Sequence, residues 1–302
     1  MVCIFNIILI TFAPFFYKDM DTFTLYKKDK YSESWSDAEL TEIRERIVNA
    51  FKELEFFPEP HKYYLHGKEL MSVSNVAHRF KTPFDKDLVA TRTFNKYYDN
   101  PRSPYYKKTV EEIKAMWDKN NMSACENGKE HHDFGESCFW FMTGNEDKIS
   151  SHYRDRLTSD GGFRACDTQE IAVAQFWDSL PADVMPILCE NKICREDLGY
   201  AGTFDLLLYH EGKFIIADYK TNKDLHKHSY GRKMLAPFND MDENDESLYT
   251  LQLSLYQLAL EHIGLDIKDL RLIWLIPEGG YKEIRLTSHA EQFETYLRSH
   301  PL

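Results

Sequence analysis

The sequence predicts an α/β or α+β fold in which helices flank a mixed central β-sheet. Three apolar strands follow one another between residues 185 and 220, and a long helix and a further apolar strand come after them. Helical periodicity marks the region before these strands. The chain has 302 residues and 43% of them are hydrophobic, which is enough for one large domain with a helical extension.

The first element is an apolar leader at residues 1–19, which contains MVCIFNIILITFAPFFY. It is shorter than the about 20 apolar residues that cross a bilayer, and it lacks the basic region of a signal peptide. Six scattered cysteines without CxxC pairs are typical of reduced thiols. We interpret the leader as a start codon placed too early and predict a cytoplasmic protein without stable membrane association. A membrane-tethered form is the alternative.

The next elements are helices and a hairpin. A capping box from Ser36 to Glu39 predicts a helix that runs to about Leu54. The stretch HKYYLHGKELMSVSNVAHRF predicts a hairpin that turns at His66-Gly67 and a helix capped near Ser72 or Ser74. A second capping box, from Thr109 to Glu112, opens the helix TVEEIKAMWDKN.

The strands GTFDLLLYH and KFIIADYK each carry an aspartate among apolar residues. If Glu211-Gly212 is a two-residue turn, the register places Asp205 opposite Asp218. Alternation along the strand places Asp218 and Lys220 on one face and Tyr219 on the other. Facing carboxylates repel each other, and a hard cation such as Mg²⁺ relieves that repulsion. The alternative is that each aspartate is solvated at a strand end and Lys220 is a surface ion-pair partner.

Two helices carry polar pairs at one-turn spacing. His132 and Glu136 share a face in the segment ACENGKEHHDFGESCFWFMTG, and we expect His131 to be a surface residue. Gln252 and Tyr256 share a face in SLYTLQLSLYQLALEHIG, beside a leucine stripe that packs in the core. Each pair alone is also typical of ordinary packing.

Taken in order, these motifs resemble the RecB-like branch of the PD-(D/E)xK nuclease superfamily over roughly residues 61–277. The matching pieces are Gly128-x-x-x-His132-x-x-x-Glu136, Glu190, Gly202-Thr203-Phe204-Asp205, Asp218-Tyr219-Lys220-Thr221 and Gln252-x-x-x-Tyr256. The stretch at residues 61–80 is similar to the N-terminal region of phage-type exonucleases of this branch. The resemblance implies a restriction-endonuclease-like core at residues 121–302 and an N-terminal helical and hairpin extension at residues 20–120.

The resemblance also implies a role for each matching residue. Asp205, Asp218, His132 and the backbone carbonyl of Tyr219 would bind Mg²⁺ or Mn²⁺. Lys220 would hold the attacking water and stabilise charge on the phosphate. Glu190 would support the lysine or a second metal. Gln252 and Tyr256 would orient the lysine or contact the DNA backbone. Thr221 and Lys223 would contact phosphates.

The implied function is a metal-dependent DNA exonuclease in phage-like recombination, repair or replication. Two alternatives stay open: a structure-selective or site-specific endonuclease, and a catalytically silent nucleic-acid-binding protein of the same fold. The implied partner is DNA, and a single-strand annealing or recombination protein and a second copy of the chain remain open as further partners.

Two features limit this function. The net charge of −12 argues against broad adhesion to nucleic acid, so DNA must meet a local patch or a bound cation. The chain has no cysteine after Cys194, so we expect no iron–sulfur cluster of the type that some relatives build after the QxxxY helix.

The chain departs from the motif of the family at one position: Phe204 stands before Asp205 where the motif has a proline, and this branch tolerates the change.

Overall fold

The computed structural model describes residues 21–226 and 231–302. The predicted leader at residues 1–19 lies outside the described residues. Within them, the strands are β1 (Phe23–Tyr26), β2 (Leu54–Phe57), β3 (Lys62–Leu65), β4 (Lys68–Ser72), β5 (Gly162–Ala165), β6 (Met185–Arg195), β7 (Tyr200–His210), β8 (Lys213–Lys220), β9 (Ile267–Leu275) and β10 (Tyr281–Leu286). The helices are α1 (Asp29–Trp35), α2 (Ala38–Ala50), α3 (Val73–His78), α4 (Lys86–Tyr97), α5 (Val110–Met142), α6 (Thr168–Ser179), α7 (Asp245–His262) and α8 (Ala290–Ser299).

The central sheet has the strand order β10-β9-β8-β7-β4-β3-β2, and β6 pairs with β7. The pairs β4–β7 and β8–β9 are parallel, whereas the remaining pairs are antiparallel. A mixed central sheet flanked by helices is the predicted fold class, and it is confirmed.

Strand β7 has an unusual set of partners. On one side β6 pairs with it along nearly its whole length. On the other side β4 pairs only with Tyr200 and Ala201, and β8 pairs from Leu206 to His210. The residues between, Gly202 to Asp205, therefore face a gap between two partner strands, and this gap positions the site described below.

The β7–β8 hairpin has the predicted register, with His210 opposite Lys213. Its turn residues, Glu211 and Gly212, have φ of 52° and 82°. Positive φ at both central positions is typical of a type I′ turn, which suits the twist of a hairpin. The turn at His66-Gly67 and the N-cap at Ser72 also lie where they were predicted.

Helices cover both faces of the sheet because the strands are apolar on both sides. Leucines on α7 pack against Phe204, Leu207 and Ile216 on one face. On the other face, α5 and α6 pack against Leu206 and Ile215. The acidic pair is thus set into a sheet that is otherwise buried from both sides.

Two helices differ from the prediction. The N-cap of α2 is Asp37, whose carboxylate accepts a hydrogen bond from Leu40 N, and not Ser36. The helix that opens at the Thr109 capping box does not stop after the predicted segment but continues for 33 residues to Met142. This single helix α5 crosses the predicted boundary at residue 120, and the division into extension and core stays a prediction.

In the described part of the chain, no helix is both long and apolar enough to cross a membrane.

Candidate metal centre

The site lies where α5 passes the gap beside β7. His132 on α5 lies with its Nδ1 3.2 Å from Asp205 Oδ2 and 3.7 Å from Glu190 Oε1. Its other nitrogen, Nε2, lies 3.1 Å from the carbonyl oxygen of Tyr219. Because a carbonyl oxygen can only accept, Nε2 carries a proton and donates a hydrogen bond to the Tyr219 carbonyl, which leaves Nδ1 facing the two carboxylates.

Asp205 is the ionised carboxylate of the site. It is buried, and its Oδ2 accepts a hydrogen bond of 2.8 Å from Tyr219 N. Burial raises the pKa of Asp205, but the charge of His132, its hydrogen bond and the charge of Lys220 outweigh burial and lower the pKa below its usual value. In turn, burial lowers the pKa of His132, but Asp205 and Glu190 raise it well above the usual value.

Glu190 stands on a strained backbone. Cys189 pairs with Leu206 and Asn191 with Phe204, so Glu190 lies opposite Asp205. Its φ is 45°, in the left-handed region, which costs a residue other than glycine about 1 kcal/mol or more. Burial and the charge of Asp205 raise the pKa of Glu190 to about 7, although the hydrogen bond to His132 opposes the shift. A strained residue that adds a carboxylate to an acidic site is typical of a functional centre.

Asp218 is almost completely buried, at 1% exposure, and its Oδ1 has no hydrogen-bond partner. Its Oδ2 forms an ion pair with the ammonium group of Lys220. Burial and the charge of Asp205 raise the pKa of Asp218 to about 6, against the opposing charge of Lys220. The site therefore has more carboxylate charge than its own cations neutralise, and a divalent cation would supply the difference.

Lys220 has a second contact that the sequence analysis did not identify. Its Nζ lies 4.6 Å from the centre of the Tyr249 ring, in a cation–π contact. The Tyr249 hydroxyl donates a hydrogen bond of 2.8 Å to Asn222 Oδ1, and Asn222 Nδ2 donates to Asp245 at the start of α7. Trp274 Nε1 donates to the Asn222 carbonyl at 2.7 Å. Tyr249 could have been identified from its spacing in the sequence, because it lies three residues before Gln252 and therefore on the same face of the helix.

The predicted pair Gln252 and Tyr256 lies together, but the two side chains bond to each other. Gln252 Nε2 donates a hydrogen bond of 2.9 Å to the Tyr256 hydroxyl. The Tyr256 ring packs on Gly202, where an added Cβ would lie 2.8 Å from it. Their predicted role in orienting Lys220 stays a prediction, and Tyr249 is the aromatic residue of α7 that contacts the lysine.

Gly135 allows α5 to approach the end of β8 closely, because a Cβ at this position would lie 2.8 Å from the Tyr219 ring. A Cβ on Gly128 would lie 3.7 Å from Thr221 Oγ1, which is an ordinary van der Waals distance. Gly128 belongs to the predicted motif, whereas Gly135 was not identified. The close packing of Tyr219 on the helix holds its carbonyl within reach of His132.

The remaining predicted residues lie at the rim or outside the cluster. Thr221 is half-buried beside Gly128, and Lys223 is exposed. His131 was expected on the surface, and this expectation was wrong: the residue is 4% exposed. Its Nδ1 bonds the Asn127 carbonyl and its Nε2 lies 3.4 Å from Asp167 Oδ1, so that it packs α5 against the start of α6.

The donor set fits a divalent metal ion. One ligand atom from each of His132, Glu190 and Asp205 lies within 4.8 Å of the others. Carboxylate oxygens suit Mg²⁺ and Mn²⁺, and the imidazole nitrogen is a donor that Mn²⁺ accepts readily. Asp218 is not part of this group, but its unpartnered Oδ1 is a further oxygen donor at the same site. The cluster could therefore hold a metal ion, and the identity of the ion remains a proposal.

Comparison of the sequence with models of known protein families and with curated proteins finds no match. Among solved structures, the chain is similar to the crystal structure of a "Putative exonuclease" from Eubacterium rectale. The identity is 15%, the TM-score is 0.39, and the match covers 76% of this chain and 78% of that chain. A likeness this distant does not bear on function.

Proposed function

We propose that the chain is a metal-dependent nuclease that hydrolyses phosphodiester bonds in DNA and acts from DNA ends. The observation that carries the proposal is the cluster of His132, Glu190 and Asp205 beside the buried ion pair of Asp218 and Lys220. Phosphodiester hydrolysis requires an activated water and neutralisation of charge on the phosphoryl oxygens. A cation held by carboxylates beside a fixed ammonium group meets both requirements.

His132, Asp205, Glu190 and Asp218 would hold Mg²⁺ or Mn²⁺. When bound, the ion supplies Lewis-acid chemistry, which acidifies the attacking water and withdraws charge from the phosphate. The protein orients His132 through its hydrogen bond to the Tyr219 carbonyl, and it orients Asp205 through the Tyr219 amide. Such outer contacts fix the direction in which the ligand atoms point.

Lys220 supplies positive charge and does not act as a base. Burial lowers its pKa, but the charges of Asp218 and Asp205 outweigh burial and raise the pKa above the ordinary value for lysine. The side chain therefore stays an ammonium group at neutral pH, where it donates hydrogen bonds to the attacking water or to a phosphoryl oxygen.

The test is incubation of the purified protein with end-labelled linear DNA and closed circular DNA, in Mg²⁺, Mn²⁺ or EDTA. We expect metal-dependent loss of the linear DNA only, and no loss with the Asp218→Ala variant. Cutting of the closed circular DNA would show that the protein is an endonuclease and not an exonuclease. If neither DNA is cut in any metal, the proposed function is wrong.

The Tyr249 ring is expected to position Lys220 for this chemistry. A cation–π contact contributes about 0.5–2 kcal/mol, so Tyr249→Leu should lower the cleavage rate by about 2- to 30-fold. Tyr249→Phe retains the ring face and should stay within about threefold of the wild type. The measurement is the single-turnover rate at saturating metal and DNA.

A series of fluorinated phenylalanines at position 249 serves as the control for shape, because fluorine weakens the negative ring face at nearly constant size. The rate should fall stepwise with fluorination if the ring acts on the ammonium group. An equal rate across the series would mean that Tyr249 only fills space.

A further inference from the structure

A helical arm, residues 81–123, projects from the rest of the protein. It consists of α4 and the N-terminal part of α5, which are joined by ion pairs between Lys86 and Asp118 and between Lys114 and Asp87. At Gly128, α5 still lies beside Thr221, which directly follows β8: a Cβ added to Gly128 would be 3.7 Å from Thr221 Oγ1. Before that point the helix leaves the sheet, and all residues from 118 to 126 are exposed. A helix segment that is exposed on all sides packs against no other part of the protein and runs through solvent.

The charge of the helical arm differs in sign from that of the whole protein. It carries nine lysines and arginines against six aspartates and glutamates, a net charge of +3 in a chain of −12. The rest of the chain therefore carries −15. Arg92, Arg102 and Lys119 are exposed and form no ion pair with the described residues. Within an acidic protein, this is a local surface that attracts a polyanion.

The helical arm also exposes large apolar side chains. Of the eight that are exposed in the described part of the chain, four lie on these 43 residues: Phe84, Leu88, Tyr106 and Met122. Phe84 is 68% exposed and Met122 is 63% exposed. Other aromatic side chains are used within the helical arm, since Trp117 donates a hydrogen bond to the Tyr105 hydroxyl and lies against Phe84. Apart from this contact of Phe84 with Trp117, packing within the helical arm leaves most of the surface of Phe84 and of Met122 exposed.

The helical arm and the metal centre share one continuous helix. Met122 and His132 lie on the same helix α5, ten residues apart, which corresponds to a rise of about 15 Å. The ion pair of Lys86 with Asp118 places the start of α4, with Phe84, at the same end of the helical arm. A strand that contacts Phe84 and Met122 can therefore continue to the cluster.

We propose that the helical arm binds the single-stranded end of the DNA substrate and leads it to the metal centre; this proposal rests on the proposed function. Unpaired bases stack on exposed aromatic side chains such as Phe84 and can pack against exposed apolar ones such as Met122, whereas a duplex hides the faces of its bases. Exposed arginine and lysine side chains bind the phosphates of the strand. The combination of modest positive charge with exposed apolar side chains fits a single strand better than a duplex.

The test measures binding of fluorescein-labelled oligothymidylate and of a blunt duplex of equal length by fluorescence anisotropy, in EDTA so that cleavage does not occur. Loss of a stacking contact weakens single-strand binding by about tenfold, and the double variant Phe84→Ala/Met122→Ala should show a loss of at least that size. Duplex binding should change by less than twofold. Salt dependence is measured as the slope of log K for single-strand binding against log salt concentration. The double variant Arg92→Gln/Lys119→Gln should reduce the magnitude of this slope by about 1.4, at roughly 0.7 per phosphate contact.

Phe57→Ala is the matched control, because Phe57 is an aromatic residue that is 47% exposed on β2, outside the helical arm. It should bind both probes like the wild type. The proposal would be overturned if Phe57→Ala lost as much affinity for oligothymidylate as the arm variants, or if both arm variants bound oligothymidylate like the wild type. A protein would then be the better candidate for the partner that binds this surface.

Cleavage assays separate this proposal from the proposed function. If the wild type cleaves linear DNA and the arm variants bind and cleave a single-stranded end equally well, only the role of the helical arm is wrong. If the wild type cleaves no DNA, the nuclease function itself is wrong, and the anisotropy measurement still decides whether the helical arm binds a single strand. Unchanged melting temperatures of the variants would confirm that they fold.

Discussion

Asp205→Asn is expected to lower the cleavage rate by a factor on the order of 10³ and to abolish metal binding. Asparagine has nearly the same size and can still accept the hydrogen bond from Tyr219 N, so the fold should be retained. It cannot supply the negative charge that faces His132 Nδ1, and a metal ligand that loses its charge loses several kcal/mol of stabilisation.

Two measurements check this expectation. The first is the single-turnover rate on end-labelled linear DNA. The second is the melting temperature with and without Mn²⁺, which should rise in the wild type because an ion that binds only the folded state stabilises it. Asp240→Asn, an exposed carboxylate elsewhere, is the control and should behave like the wild type. A variant that keeps both activity and the Mn²⁺-dependent rise would show that Asp205 is no ligand.

Lys220→Met is expected to lower the cleavage rate by about 10²- to 10³-fold while Mn²⁺ still binds. Methionine fills much of the volume of lysine, which is only 11% exposed here, but it removes the ammonium group that contacts Asp218. Without this charge, the cation loses the ammonium group that would help it to stabilise negative charge on the phosphate.

The measurement pairs single-turnover kinetics with calorimetric titration of Mn²⁺. If Lys220→Met lowers the cleavage rate but still binds Mn²⁺, Lys220 is not a metal ligand. A substitution of a metal ligand should lower both the cleavage rate and Mn²⁺ binding. Tyr249→Leu provides a graded comparison, because it retains the charge and removes only one contact of the ammonium group. A rate within threefold of the wild type in Lys220→Met would contradict the assigned role.

The two strands that carry Asp205, Asp218 and Lys220 can be predicted from local patterns in the sequence. Alternation and the Glu211-Gly212 turn fixed the register of β7 and β8, so that Asp218 and Lys220 share a face and Tyr219 points to α5. The reason is physical: side-chain direction in a strand has a period of two, and a two-residue turn leaves one register. Local patterns of this kind need no knowledge of distant contacts.

Which groups meet at the site depends on packing between distant segments and cannot be read from local patterns. Tyr249 contacts Lys220 because α7 packs across the sheet, and His131 is buried because α6 begins beside it. The strained φ of Glu190 and the gap between β4 and β8 depend on how three strands share β7. These features come from packing between segments far apart in the chain, and the pKa values of the buried carboxylates follow from the same packing because burial and neighbouring charges set them.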